Sequence, residues 1–131
     1  MPRRPIAPIA EFPVSGSDAG PYGITCGPDG AMWFTMVHHG RIGRVTTAGD
    51  VTSYQLESAS SGPSIITTGP DDALWFTEWG ATRIGRITPD GRIDEHDLPS
   101  PSSEPHGITL GPDGAIWTAL EIGTVARLTP R

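Results

Sequence analysis

The sequence predicts an all-β fold, and three observations support this prediction. The first is a repeat of 42 residues that places Trp33, Trp75 and Trp117 in the same phase. The second is a series of short Val- and Ile-rich stretches separated by Gly, Pro and Asp, which favours strands joined by turns. The third is that no helical apolar period is sustained. Four strands in each unit, with a tryptophan at the same position of every unit, are typical of a β-propeller blade.

The repeat divides one domain of 131 residues into three units, at residues 9–50, 51–92 and 93–131. A Gly-Pro-Asp turn follows the innermost strand of every unit, because Gly and Asp tolerate the backbone angles of tight turns. In the first unit the predicted strands are 9–14, 22–26, 31–36 and 41–46. Each unit is therefore expected to form one four-stranded blade.

The phase of the repeat identifies the outer strand of each blade. Its pattern occurs at residues 9–12, 51–54 and 93–96. One outer strand therefore precedes the first blade, and the last blade lacks one. Three blades are too few for a closed ring, which usually has four to eight. We expect a homodimer with six blades, in which the N-terminal strand of each chain completes the last blade of the other.

The composition excludes several classes of function. The 15 acidic residues exceed the 9 basic ones, and the net charge of −6 argues against nucleic acid as a partner. The chain has no Lys, which excludes Schiff-base chemistry and Walker-type loops, and its single Cys excludes a disulfide framework. No apolar run is long enough to span a membrane, and the first residues lack the apolar core of a secretion signal. We expect a cytoplasmic protein with no membrane partner.

Differences between the repeats indicate candidate functional residues, because positions shared by all three units serve the scaffold. The residue that opens the innermost strand, beside the central channel, is Tyr22, Ser64 or His106. Two residues earlier the first two units have Gly and the third has Glu104. Residues i and i+2 of an extended segment face the same side, so Glu104 and His106 can converge. Glu121, in the turn after the second strand of the third unit, adds another carboxylate.

Two carboxylates beside an imidazole suit metal-assisted acid–base chemistry. Mg²⁺ is typically held by one or two carboxylates, with water and substrate oxygens as the remaining ligands. A neutral histidine with an ordinary pKa of about 6.5 suits a general base. Together these groups favour proton abstraction next to a carbonyl, or metal-assisted hydrolysis. The alternative is that all three are solvated loop residues.

Other polar residues have simpler interpretations. His38 and His39 are expected in an exposed turn, and His96 on the surface of an outer strand. Cys26 occupies an inner-strand position filled by Thr and Leu in the other units, so we expect a small buried side chain. The arginines of the repeated Arg-Ile-Gly-Arg segments are expected to form ion pairs between blades rather than to bind an anion.

Three segments resemble blades of the virginiamycin B lyase family, also called the streptogramin B lyase family. They are GPYGIT at 20–25, LWFTEWGA at 74–81 and SEPHGI at 103–108. The resemblance implies a seven-bladed, Mg²⁺-dependent propeller that linearises a cyclic depsipeptide antibiotic by β-elimination at its ester. This chain has three such units, which resemble the family's first blade and its final two.

The resemblance also implies a role for each candidate residue. His106 matches the catalytic base, Glu104 and Glu121 match the metal ligands, and Tyr22 matches a tyrosine that lines the substrate site. Ser64 departs from the pattern, because the family has a substrate-binding histidine there. The implied function is a carbon–oxygen lyase that confers antibiotic resistance, with a lactonase less favoured. The alternatives are a propeller that binds a ligand without turnover and a simplified or truncated scaffold without activity.

Overall fold

The computed structural model describes residues 8–14 and 18–130. Within these ranges there are eleven strands and no helix, and hence no helix that could cross a membrane. The strands are β1 (Pro21–Cys26), β2 (Met32–Met36), β3 (Arg41–Val45), β4 (Val51–Gln55), β5 (Pro63–Thr68), β6 (Leu74–Glu78), β7 (Arg83–Ile87), β8 (Ile93–Asp97), β9 (Pro105–Leu110), β10 (Ile116–Leu120) and β11 (Thr124–Leu128).

The strands form three antiparallel sheets, each of which is one propeller blade. Blade 1 comprises β1 to β4, blade 2 comprises β5 to β8, and blade 3 comprises β9 to β11, with consecutive strands paired in every sheet. The innermost strands β1, β5 and β9 lie side by side. The prediction of an all-β propeller is thereby confirmed, and among the described residues the third blade has three strands, as the phase of the repeat predicted. Completion of a ring by a second chain stays a prediction.

The predicted strand over residues 9–14 is not formed. This segment lies against blade 1, where a Cβ atom added to Gly49 would meet the Phe12 ring at 3.0 Å, and Val14 packs near Phe34. A strand needs a hydrogen-bonded neighbour. In blades 1 and 2 the equivalent outer strands, β4 and β8, pair with the third strand of the same sheet. The third strand without such a partner among the described residues is β11, which lies in blade 3, and blade 2 separates blade 3 from blade 1.

A set of three side chains recurs in every blade and fixes the turn after the innermost strand. Asp29 accepts hydrogen bonds from Trp33 Nε1 at 3.0 Å and from Arg44 Nε at 2.8 Å, and the guanidinium lies over the indole ring. The equivalent sets are Asp71, Trp75 and Arg86, and Asp113, Trp117 and Arg127. The arginines do form ion pairs, but the expectation of pairs between blades was wrong. Each of these pairs lies within one blade, because the turn and the third strand share a sheet.

Buried threonines join neighbouring innermost strands. Thr35 Oγ1 accepts from Gly23 N at 2.9 Å in its own blade and donates to Ser64 O of blade 2 at 2.7 Å. Thr77 Oγ1 makes the same pair of bonds, from Ile65 N at 3.2 Å and to His106 O at 2.8 Å. The backbone of His106 is therefore held in place by blade 2.

Cys26 is exposed, so the prediction of a buried side chain was wrong. It ends β1, whose residues are mostly exposed, whereas those of the equivalent strand β5 are all buried or half-buried. The difference arises because β5 packs between β1 and β9, whereas among the described residues β1 has a blade on one side only. The prediction assumed the neighbours of a closed ring.

Candidate functional site

The structure brings the side chains of His106 and Glu121 together at one end of blade 3, and the backbone of Glu104 lies beside Glu121. His106 Nε2 lies 2.7 Å from Glu121 Oε2, and both side chains are about half exposed. The backbone N–H of Glu121 donates to the carbonyl oxygen of Glu104 at 3.1 Å. When the Glu121 carboxylate accepts the proton on Nε2, the Nδ1 atom of His106 is left as the proton acceptor. This pair can therefore act as an oriented base.

The backbone that carries the two glutamates is common to all three blades. The hydrogen bond between Glu121 and Glu104 has counterparts of 2.9 Å between Val37 N and Gly20 O and of 3.0 Å between Trp79 N and Gly62 O. Only the side chains differ, and in blade 3 both are carboxylates. The candidate site is therefore a substitution of side chains onto a shared scaffold, as the comparison of the repeats predicted.

Glu104 has a left-handed backbone conformation with φ of 53°. Gly20 and Gly62, its equivalents, have φ of 69° and 64°. Glycine adopts this region freely, whereas other residues are strained there by about 1–3 kcal/mol. A carboxylate in a position suited to glycine supports a functional rather than a structural role for Glu104.

Replacement of Glu104 by Gly is therefore expected to leave the protein at least as stable, with a gain of up to about 1 kcal/mol. The relief of strain exceeds the extra freedom that glycine gives the unfolded chain. Urea unfolding of Glu104→Gly measures the change, and Glu121→Gly is the control, because Glu121 has no positive φ. A loss of stability greater than that of the control would contradict the strain argument.

Tyr22, Ser64 and His106 line one depression of about 460 Å³. Tyr22 is 69% exposed, whereas Ser64 is 7% exposed and its hydroxyl donates to Gly62 O at 3.0 Å. Tyr22 therefore presents its side chain to the depression, and Ser64 has its hydroxyl directed to its own backbone. The second residues of the three innermost strands thus share one surface.

Trp79 also lines this depression and was missed by the sequence analysis. Its ring centroid lies 6.4 Å from that of His106, at a tilt of 45°, and the side chain is partly exposed. The repeat contains the signal that could have identified it, because Val37, Trp79 and Glu121 share one phase. Trp79 supplies an aromatic surface beside the candidate base.

A buried carboxyl group belongs to the residue that precedes Trp79 in the chain. Glu78, the last residue of β6, is fully buried and stands where the other blades have Met36 and Leu120. Burial, together with the nearby carboxylate of Glu95, raises the pKa of Glu78 to about 9. Glu95 instead lies 3.6 Å from the guanidinium of Arg83. Glu78 is therefore protonated at neutral pH.

The remaining histidines lie outside the site. His38 and His39 are exposed, as predicted. His96 is on the surface as predicted, but its ring stacks on Trp75 with centroids 6.1 Å apart. It is therefore a packing residue of the outer strand.

The donor set at the site suits only some metals. Within residues 8–14 and 18–130, no three His, Cys, Asp or Glu side chains are grouped to hold a metal ion. Glu104 and Glu121 provide two carboxylates on hydrogen-bonded backbone positions at an exposed edge. Two carboxylates fit a Mg²⁺ ion that keeps most of its water, because this ion loses water reluctantly. They are too few for the closed nitrogen and sulfur shell of a structural zinc site.

Comparison with known proteins identifies the family. The sequence profile of the virginiamycin B lyase family matches residues 7–128. The chain belongs to the virginiamycin B lyase family. The family membership that the three repeat segments indicated is thereby confirmed. The virginiamycin B lyase of Saccharopolyspora erythraea is 52% identical over 58 residues, which cover 44% of this chain and 19% of that protein.

Solved structures of virginiamycin B lyase share the same architecture. The selenomethionine-substituted enzyme from Staphylococcus aureus superposes with a TM-score of 0.89 at 47% identity, covering 92% of this chain and 41% of that one. A catalytically inactive form from the same organism with quinupristin gives 0.86 at 48% identity, with 88% and 40% covered. A gluconolactonase-like structure at 19% identity, with a TM-score of 0.68, shares the fold alone. The chain therefore spans less than half the length of its virginiamycin B lyase relatives.

Proposed function

We propose that this chain acts as a streptogramin B lyase, which opens the cyclic depsipeptide at its ester by β-elimination and confers resistance to the antibiotic. The observation that carries the proposal is the His106–Glu121 contact of 2.7 Å next to Glu104, at the edge of an open depression. A virginiamycin B lyase from Staphylococcus aureus with quinupristin, 48% identical to this chain, supports a cyclic peptide as the ligand.

In this mechanism His106 is the base. Its Nδ1 atom takes the α-proton of the esterified residue, while Glu121 holds the Nε2–H and stabilises the imidazolium that forms. The electrons form a double bond between the α- and β-carbons, and the ester carboxylate leaves from the β-carbon. No water is added, so the linear product has the mass of the substrate.

Glu104 and Glu121 would hold Mg²⁺. When bound, the ion supplies positive charge beside the carbonyl group next to the α-carbon, which makes the α-proton more acidic. Tyr22 and Trp79 present aromatic surface on which apolar parts of the substrate can pack. These residues orient the ring, and Glu121 orients the base.

Replacement of Glu104 or Glu121 by Gln is expected to abolish Mg²⁺-dependent turnover and to preserve the fold. The amide keeps the size of the side chain but removes the charge that a divalent cation requires. Turnover in a Mg²⁺ titration, with a circular dichroism spectrum of each variant, measures both effects. Full activity of the unmodified chain in EDTA would refute the metal requirement.

A second candidate function is a propeller module that binds the cyclic peptide without turnover. Ser64 favours it, because its buried hydroxyl bonds to Gly62 O and offers no donor in place of the family's histidine. Incubation with a streptogramin B and Mg²⁺, followed by mass spectrometry, separates the two. A linear product of unchanged mass supports the lyase. Binding by calorimetry without any product supports the module, and a gain of one water would indicate a hydrolase.

We propose a second copy of the chain as the partner, which gives the homodimer expected from the repeat. Its support is apolar surface on the sides of blades 1 and 3 that face away from blade 2. Ile24 of blade 1 is 64% exposed there, and Val125 of blade 3 is 68% exposed. Soluble monomers rarely expose contiguous apolar surface of this kind.

A further inference from the structure

We propose that Thr118 is a positioning residue for His106. Its hydroxyl and that of Thr77 hydrogen-bond to two successive carbonyl groups of the strand that carries the base, those of Gly107 and His106. This role deepens the proposed lyase function and rests on it for the effect on turnover. The effect on the His106 ring can be measured without any substrate.

His106 lies in a β-bulge, a point at which two residues of one strand face a single residue of the next. The register between β9 and β10 shifts after Pro105, so that His106 and Gly107 together face Ala119. Bulges at the same phase occur in blades 1 and 2. A bulge interrupts the ladder of backbone hydrogen bonds and changes the direction of a side chain. The direction of the His106 side chain therefore depends on how this bulge is held.

In blades 1 and 2 the residue opposite the bulge is a threonine, which holds the bulge of its own blade. Thr35 Oγ1 accepts the backbone N–H of Gly23 at 2.9 Å. Thr77 Oγ1 accepts that of Ile65 at 3.2 Å. Blade 3 has Ala119 at this position, and alanine has no hydroxyl. The bulge that carries the candidate base therefore lacks this particular hydrogen bond.

Thr118 supplies a different hydrogen bond to the same bulge, from the preceding position of β10. Its hydroxyl donates to Gly107 O at 2.8 Å, and the residue is 5% exposed. The hydroxyl of Thr77, which is fully buried in blade 2, donates to His106 O at 2.8 Å. Both carbonyl groups of the bulge therefore accept a hydrogen bond from a buried threonine, which fixes the two peptide groups that follow the Cα atom of His106.

Packing does not explain a threonine at position 118. The equivalent residues Phe34 and Phe76 are buried, and Phe76 belongs to the apolar cluster between blades 1 and 2. Its ring covers Gly85, where a Cβ atom would collide with it. Blade 3 has Thr118 and Ala126 as the corresponding pair. The contact between blades 2 and 3 therefore has a small polar residue where its counterpart has an aromatic ring.

This exchange is of the same kind as those that mark the candidate site. Glu104, His106 and Glu121 are departures from the repeat in blade 3, and so is Thr118. A buried phenylalanine stabilises a core more than a threonine does, because more apolar surface is removed from water. Departures that lower stability are expected where function requires them. The hydroxyl of Thr118 bonds to the residue next to the candidate base, which indicates the function that it serves.

A fixed bulge keeps the imidazole of His106 in contact with Glu121. The Nε2 atom lies 2.7 Å from Glu121 Oε2, although both side chains are about half exposed and water competes for them. The backbone of Glu121 is held by the carbonyl oxygen of Glu104, and that of His106 by the two threonine hydroxyls. Proton transfer requires a base that is held within reach of the substrate, so the bulge contributes to the rate through His106.

Turnover of a streptogramin B by Thr118→Val tests the effect on the reaction. Valine has nearly the same shape but no hydroxyl. We expect kcat to fall by about 2- to 12-fold, the factor that corresponds to one neutral hydrogen bond, with KM nearly unchanged. Thr118→Ser keeps the hydroxyl and should retain most of the activity. An unchanged kcat in Thr118→Val, or an equal loss in Thr118→Ser, would overturn the proposal.

The ring signals of His106 in nuclear magnetic resonance test the positioning even if the chain is not a lyase. The Trp79 ring lies 6.4 Å from that of His106, so its ring current shifts these signals. Identified by their loss in His106→Ala, they should move towards those of an unstructured histidine in Thr118→Val. Thr35→Val is the matched control and should leave them in place, because the Thr35 hydroxyl lies between blades 1 and 2. Unchanged signals in Thr118→Val would refute the positioning role. If the unmodified chain has no turnover, the lyase proposal fails and these signals alone decide.

A double variant keeps the test decisive if Thr118→Val does not fold. Thr118→Phe with Ala126→Gly copies the pair of Phe76 and Gly85 in blade 2, so its Tm should be at least that of the unmodified chain. The loss of the hydroxyl should nevertheless lower kcat by the same factor and move the His106 signals. A stable double variant with full kcat or unchanged signals would overturn the proposal, because the hydroxyl would then be dispensable.

Discussion

Replacement of Glu78 by Gln is expected to raise the free energy of unfolding at pH 8 and to remove most of its decrease between pH 5 and pH 9. The carboxyl group is fully buried, and burial beside Glu95 raises its pKa from 4.5 to about 9. Between these two values the folded chain keeps a proton that the unfolded chain releases. Stability linked to this group is therefore complete below about pH 4.5 and is lost as the pH rises towards 9.

The expected size of the effect follows from the same linkage. One proton of difference changes the free energy of unfolding by about 1.4 kcal/mol per pH unit, so the upper bound at pH 7 is about 3 kcal/mol. Glu78→Leu, which copies Leu120, should stabilise the chain further, because the site is apolar in the other blades. Removing the carboxyl group also leaves Glu95 paired with Arg83 alone.

Urea unfolding at pH 5, 7 and 9 measures this difference. Glu57→Gln is the matched control, because Glu57 is exposed and its substitution should leave the pH dependence unchanged. If the unmodified chain and Glu78→Gln lost stability equally with rising pH, Glu78 would have to be ionised in the folded state.

The repeat made most of the fold predictable, because three copies of one pattern fix both strand positions and phase. The strands predicted at 22–26, 31–36 and 41–46 match β1, β2 and β3 to within one residue at each end. The segment at 9–14 was the exception. Its apolar pattern is that of an outer strand, but a strand also needs a neighbouring edge, and a pattern within one chain does not show which edge is in reach.

The site was predictable to the extent that it consists of departures from the repeat. Glu104, His106 and Glu121 were found in this way, and their shared backbone geometry explains why phase was a reliable guide. Trp79 was missed because a tryptophan in a repeat with core tryptophans is expected to be core. The burial of Glu78 was also missed. Glu78 is the last residue of β6, and the sequence pattern does not distinguish the last residue of a strand from the first residue of an exposed turn.

The depression itself could not be predicted from the sequence. It depends on how neighbouring innermost strands are held side by side, which the buried hydroxyls of Thr35 and Thr77 accomplish by bonding to Ser64 O and His106 O. A threonine in a strand is common, and its hydrogen-bond partner is set only by the packing of two blades. For the same reason, the hydrogen bond from the Ser64 hydroxyl to Gly62 O could not be predicted.

Replacement of His106 by Ala is expected to lower kcat for streptogramin B opening by about 10²- to 10⁴-fold, the usual contribution of a positioned base. KM should change far less, because Tyr22 and Trp79 still line the depression in the variant. Added imidazole should restore part of the rate, since the base is then supplied from solution and Glu121 remains to accept its proton. His39→Ala is the control, because that side chain lies in an exposed turn outside the depression. Unchanged turnover by His106→Ala would exclude it as the base and make Tyr22 the next residue to test.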